Sequence, residues 1–180
     1  MLWEVDVHLK DTAQDYLAQD LIQGAKALGI NACTHASSAT GWLIEGAFSQ
    51  KDIEKLATTL LTDPITESYR IAKVGDASLL KGPNNLPTVV HILPRTGVTD
   101  PAAQSACESL TLLDLHPKAV RSIKKFWIPD LDACDAKRLA WKLLASEAIH
   151  DVVIGPLSLD SLARGRSWTF SQQTICLNGL

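Results

Sequence analysis

The sequence predicts an α+β chain made of one small βαββαβ unit used twice in tandem, and three observations carry that expectation. Val5 to Leu9 (VDVHL) and Thr88 to Ile92 (TVVHI) both alternate as half-buried strands, with His8 and His91 in matching places 83 residues apart. Glu54 to Ile65 (EKLATTLLTDPI) aligns with Lys137 to Ile149 (KRLAWKLLASEAI) at the same spacing until one inserted residue, Leu56-Ala57 lying over Leu139-Ala140. Between these anchors Gly41 to Phe48 (GWLIEGAF) lies over Lys125 to Leu131 (KFWIPDL). The chain of 180 residues then divides into a first copy at 1–73, a linker at 74–86, a second copy at 87–157 and a tail at 158–180.

The elements of the first copy follow in order. Trp3 to Leu9 reads as a strand, and Ala13 to Leu28 as a helix with Leu17, Leu21, Ala25 and Leu28 on one face. Gly29, tolerant of positive φ, stops that helix. A strand over Ala32 to Ser37, a turn at Thr40-Gly41 and a strand over Trp42 to Phe48 come next. Ser49 is a good N-cap for a helix over Gln50 to Leu61, because its hydroxyl can accept from an otherwise unpaired backbone N–H. Asp63-Pro64 ends that helix, and Ile65 to Ala72 is the last strand.

In the second copy the strand is Thr88 to Leu93, and the helix Pro101 to Leu113 has Asp100 as N-cap and Pro101 at its first position. Strands over Ala119 to Ser122 and Lys125 to Leu131, a helix over Ala133 to Ala145 behind Asp132, and a strand over Ile149 to Ile154 complete it. Two helices on one face of each sheet make the pair a ferredoxin-like tandem, a pseudo-dimer within one polypeptide. The uncovered faces of such sheets are expected to pack on each other or on a partner.

Composition narrows the class further. With 46% hydrophobic and 21% charged residues the chain is ordinary for a globular protein, and its longest apolar runs fall far short of a membrane span. The acidic start MLWEVDVHLK reads as a strand and not as a secretory leader, so a cytoplasmic location is expected. A net charge of −3 offers no polybasic field for nucleic acid. Cys33, Cys107, Cys134 and Cys176 are scattered without a C-x-x-C pair, which points to reduced and mostly buried thiols and not to a metal site.

Few residues carry chemistry. No phosphate-binding glycine loop or nucleophile elbow is present, and His8 and His91 at equivalent strand positions read as structural. The five tryptophans read as core and interface anchors. Two stretches stand out. RSIKKFW, Arg121 to Trp127, places Arg121, Lys124 and Lys125 beside aromatic residues, either as a solvated hairpin or as a contact for a partner or an anion. RTGVTDP puts Arg95 and Gly97 just before a helix N-terminus that could cradle an anion, although Asp100 already places a capping carboxylate there.

These same residues carry a family resemblance. The stretch LPRTGVTDPAAQSACESLTLLDL followed by VRSIKKFWI resembles the PurS family, the small component of phosphoribosylformylglycinamidine synthase in purine biosynthesis. Gly97-Val98-Thr99-Asp100-Pro101 matches that family's Pro-Gly-Val-x-Asp-Pro turn, and Val120-Arg121 opens its Val-Arg-x-Gly-Lys strand. Ile123 replaces the glycine of that strand, and Lys124 keeps the lysine. The first copy has Lys10-Asp11-Thr12 in place of the turn.

The resemblance covers roughly residues 3–157 and implies a doubled module like the one at the N-terminus of fused forms of the synthetase; the tail from Leu162 to Leu180 resembles the segment leading toward the catalytic domain. It implies a non-catalytic scaffold, without activity alone, that couples a PurQ-type glutaminase to a PurL-type synthetase so that ammonia passes between them. Arg95, Gly97, Arg121, Lys124 and Lys125 are the residues expected at a partner or anion contact. This chain is expected to bind no cofactor, ATP and Mg belonging to the synthetase partner. Self-association of the chain stays open. A small-ligand-sensing module on a paired ferredoxin-like fold is the alternative, and an independent enzyme a third reading.

Overall fold

β1 (Leu2–Leu9), α1 (Tyr16–Ala27), β2 (Ser37–Glu45), α2 (Gln50–Leu56) and β3 (Glu67–Lys73) form the first half of a repeated series. β4 (Thr88–Pro94), α3 (Pro101–Leu112), β5 (Ala119–Ile128), α4 (Ala133–Leu139) and β6 (His150–Ile154) form the second. The computed structural model describes residues 1–82 and 86–162. Within them the fold is α+β, with four helices and a six-stranded antiparallel sheet in the order β3-β1-β2-β5-β4-β6. In both halves the second helix runs on into a π-helical turn, Ala57–Leu61 and Ala140–Leu144, at positions one repeat apart.

Each half is βαβαβ and so has one strand fewer than expected. The turn read at Thr40-Gly41 lies inside β2, which runs unbroken through both. Gly41 is there for a different reason: a Cβ would sit 2.4 Å from the carbonyl oxygen of Val5 on the neighbouring strand. The separate strand expected over Ala32 to Ser37 is an irregular approach whose Cys33 fills the core. β5 likewise runs through Ile123 and Lys124, where two strands were expected.

That continuity joins the halves. β2 pairs with β5 from Ser37↔Trp127 to Glu45↔Ala119, and its middle rungs are Thr40↔Lys124 and Gly41↔Ile123. The 83-residue offset carries Thr40 onto Ile123 and Gly41 onto Lys124, so exchanging the halves turns one middle rung into the other. The helices are shared across this seam too. Leu21 and Ala25 of α1 pack with Val90 and Ile92 of β4, Phe126 and Ile128 of β5, and Leu139 of α4. Leu110 of α3 joins Trp3, Val5 and Val7 of β1 and Ile53 and Leu56 of α2. Both helix-side clusters therefore draw buried residues from both halves, and each half completes its core with the other's first helix.

Helix starts are fixed by side-chain acceptors for backbone N–H groups that have no partner within the helix. Ser49 and Asp52 form a reciprocal capping box on α2, and Asp132 caps α4. α1 begins at Tyr16 and not at Ala13, because a short 3-10 turn over Thr12–Gln14, capped by Asp11, comes first and Asp15 then caps the helix. Of the cysteines described, only Cys33 is buried; Cys107 is half-buried and Cys134 exposed, so the expectation of mostly buried thiols fails for them, and Cys176 lies outside the described residues. Among the described residues no helix is long and apolar enough to cross a membrane.

Candidate functional site

The face of the sheet away from the helices is covered by chain that the sequence marked as linker, as tail and as the last residues of the second copy. Val74, Leu157, Leu159 and Leu162 pack with Leu2, Leu43, Leu93 and Ile123, while Leu80 and Leu86 pack with Ala39, Val89 and Trp127. Backbone carbonyls of the connection reach the sheet. Trp127 Nε1 donates to Leu80 O at 2.9 Å, Lys125 Nζ to Leu79 O at 3.0 Å, and Arg70 to the carbonyls of Ser78 and Lys81.

Beneath this cover lies a cluster of charge. Lys125 Nζ sits 2.6 Å from Glu4 Oε1 and 2.7 Å from Asp6 Oδ2, and 5.1 Å from the centre of the Trp127 ring. Lys125 and Asp6 are fully buried, and Glu4 is 1% exposed. Two carboxylates thus share one ammonium, and burial raises Asp6 to about 7 against the pull of Lys125, with Glu4 adding to the rise. His8 and His91 line the same face, 5% and 1% exposed. Burial lowers both to about 4, helped by Lys125 in each case and by Arg70 at His8, so both are neutral at pH 7. Asp6 Oδ1 and His91 Nδ1 have no hydrogen-bond partner among the described residues. Such a cluster can store a charge and a proton beneath its cover, but none of its groups reaches a substrate from solvent.

The sequence-marked cations fall in three places. Successive residues of a strand point to opposite faces, so Lys124 and Lys125 part company. Lys125 belongs to the buried cluster, which takes it out of the surface contact set expected from the sequence. Lys124 lies exposed on the helix side, in a shallow cleft with Leu17, Asp20 and Leu143. Arg121 returns to the covered face and meets Arg95 and the Gly97 turn.

That last meeting is a built arrangement. Arg121 donates through Nε to Pro94 O at 2.8 Å and through Nη2 to the same carbonyl, and its Nη2 lies 3.3 Å from Asp151 Oδ2. Arg95 donates through Nε to His150 O at 3.1 Å and lies 3.5 Å from Asp151 Oδ1. Asp151 therefore bridges two guanidinium groups. A cleft of about 320 Å³ opens beside them, walled by Leu93, Trp141, Val153, Leu157 and Leu159. A smaller one of about 170 Å³ lies beyond Arg121, along Gly97 and Leu162. Gly97 has φ of 90°, a left-handed conformation that favours glycine, and Val98 N closes the turn onto Arg95 O at 3.0 Å.

Asp100 is the hinge of that turn. One of its oxygens accepts from Ala103 N at 3.0 Å, capping α3, and the other accepts from Ser122 N on β5 at 2.8 Å. The helix N-terminus is thus occupied by a carboxylate, as the sequence suggested. The first half repeats the device with a residue that the sequence reading passed over. Asp15 accepts from Ala18 N at 3.0 Å, from Ser38 N on β2 at 2.7 Å and from Ser38 Oγ at 2.6 Å. In the first half the part of Asp100 is therefore taken by Asp15, which follows the Lys10-Asp11-Thr12 stretch.

Glu4, Asp6 and Glu45 were also missed. Glu45 accepts from Lys118 Nζ at 2.9 Å, Ser161 Oγ at 3.0 Å and Leu162 N at 2.8 Å, which holds its carboxyl well below the usual range and fastens the covering segment. Residues 163–180, where the tail was expected to lead toward a catalytic domain, lie outside the described residues. Compared with protein-family models and with curated proteins, the chain matches none.

Proposed function

We propose that this chain is a non-catalytic scaffold of the phosphoribosylformylglycinamidine synthase type, a doubled PurS-like module built as a ferredoxin-like tandem and acting as a pseudo-dimer. The observation that carries the reading is the aspartate of the Gly-Val-x-Asp-Pro turn. Asp100 ties the start of α3 to β5, and Asp15 ties the start of α1 to β2 in the same way. The aspartate of the motif that suggested the family thus has a counterpart tie in the half that lacks the motif, and the halves meet edge to edge through β2 and β5, where two separate subunits would join their sheets. The family's glycine, replaced by Ile123, falls on that seam opposite Gly41.

In this role the chain holds a PurQ-type glutaminase and a PurL-type synthetase in register, so that ammonia released by one is used by the other before it escapes to water. ATP and Mg belong to the synthetase. Lys124, exposed on the helix side, and the Arg95–Gly97 turn are the places at which partners contact the chain. The reading is tested by mixing the chain with a PurL-type synthetase and a PurQ-type glutaminase and following complex formation by light scattering. A complex containing all three is expected, weakened by Lys124→Ala; no association of the chain with either partner would overturn the reading.

A further inference from the structure

The cleft beside Arg95 and Arg121 invites a ligand of its own. Among the described residues two guanidinium groups lie beside the carboxylate of Asp151, so cationic groups outnumber the acceptor at this wall. The side chains of Arg121, Asp151 and Arg95 are 18%, 26% and 35% exposed, so this charge is partly withdrawn from water and attracts an anion more strongly than an open surface would. Both guanidinium groups are pinned through Nε to the carbonyls of Pro94 and His150. A guanidinium has five N–H donors in a fixed fork, so this pinning orients the groups without using all of them.

The rest of the wall is apolar. Trp141, Leu157 and Leu159 enclose a volume of about 320 Å³, which lies at the small end of the range for ligand pockets. We infer that the cleft is a binding site for a small monocarboxylate with an apolar body, its carboxylate received by Arg95 and Arg121 and its body lying against Trp141 and Leu157. Charge decides between anions. The Asp151 carboxylate beside both guanidinium groups repels a phosphate dianion more strongly than a monoanion. The inference does not depend on the scaffold reading, because it rests on this cleft alone.

The test is a titration of the full chain with phenylacetate, followed by backbone amide NMR, with 2-phenylethanol as the neutral counterpart and inorganic phosphate as the second anion. Saturable shifts are expected at Arg95, Thr96 and Asp151 to Val153 with phenylacetate, and at least tenfold weaker binding with Arg95→Gln. Phenylethanol should give no saturable shift there, and phosphate should bind at least tenfold more weakly. Should Arg95→Gln fail to fold, Leu159→Glu at the half-exposed wall places a second carboxylate in the cleft and should also cost at least tenfold. Unsaturable shifts, equal binding of phosphate, or phenylacetate affinity unchanged in the folded variant would each overturn the assignment.

Discussion

Replacing Lys125 by methionine separates the buried-cluster account from a surface role for that residue. The ammonium is the sole cation within hydrogen-bond distance of Glu4 and Asp6 among the described residues, at 2.6 and 2.7 Å, and all three side chains are at most 1% exposed. Methionine fills a similar volume but leaves two carboxyl groups buried without a counter-charge. Removing one partner of a buried ion pair costs about 3–5 kcal/mol. For a chain of this size that corresponds to a drop in Tm of roughly 6–20 °C. The two carboxyl groups can escape the penalty by binding protons, so the loss should be smaller at pH 5 than at pH 8. Glu4→Gln and Asp6→Asn added to Lys125→Met should recover most of the stability, because no uncompensated charge remains. The assay is urea denaturation of the variants at both pH values. Unchanged stability of Lys125→Met, or a loss independent of pH, would refute the reasoning.

Other expectations concern the same architecture. His8 and His91 at about 4 in the folded chain, against 6.5 ordinarily, bind fewer protons folded than unfolded, so their contribution is complete above pH 6.5 and is lost as pH falls through 4, on the order of 3 kcal/mol each at full effect. Asp6, raised from 3.8 to about 7, acts in the opposite direction, its contribution being complete below 3.8 and lost as pH rises through 7. Two histidines outweigh one aspartate below pH 6.5 and the opposing effect of Asp6 is complete near 7, so Tm measured from pH 4 to 9 should rise and then level off near pH 7; a steady rise through pH 8 would contradict this balance. Asp15→Ala and Asp100→Ala each remove a helix cap and a tie to the adjacent strand, and each should cost about 1–3 kcal/mol by chemical denaturation. Residues 87–162 expressed alone leave the β5 edge unpaired and β4 and β5 without α1, and should self-associate; a folded monomer at high concentration in sedimentation would count against a core shared between halves.

Much of the fold was legible because caps and periodicities are local. Ser49, Asp100 and Asp132 marked helix starts, and the 83-residue offset marked the recurrence of one order of elements. The strand count was misread because Thr40-Gly41 has turn chemistry, while the requirement for glycine comes from the Val5 carbonyl on another strand. The covered face was not legible for a related reason. Glu4 and Asp6 alternate with Val5 and Val7 as a solvent face would, and what buries them is a connection that makes contact partly through the backbone carbonyls of Leu79 and Leu80, which have no side-chain signature. Arg95, Gly97 and Arg121 converge because the turn and β5 are tied together by Asp100. Lys124 and Lys125 do not join them as a patch, since strand alternation sends neighbours to opposite faces.

In the proposed role the chain would couple two active sites that lie on partner proteins. The most direct test of that role is glutamine-dependent formation of formylglycinamidine ribonucleotide by the synthetase and glutaminase, with and without the chain, with ammonium chloride replacing glutamine as the control. The account expects the chain to restore the glutamine reaction while the ammonia reaction hardly changes; no effect on either reaction, with no complex formed, would contradict it.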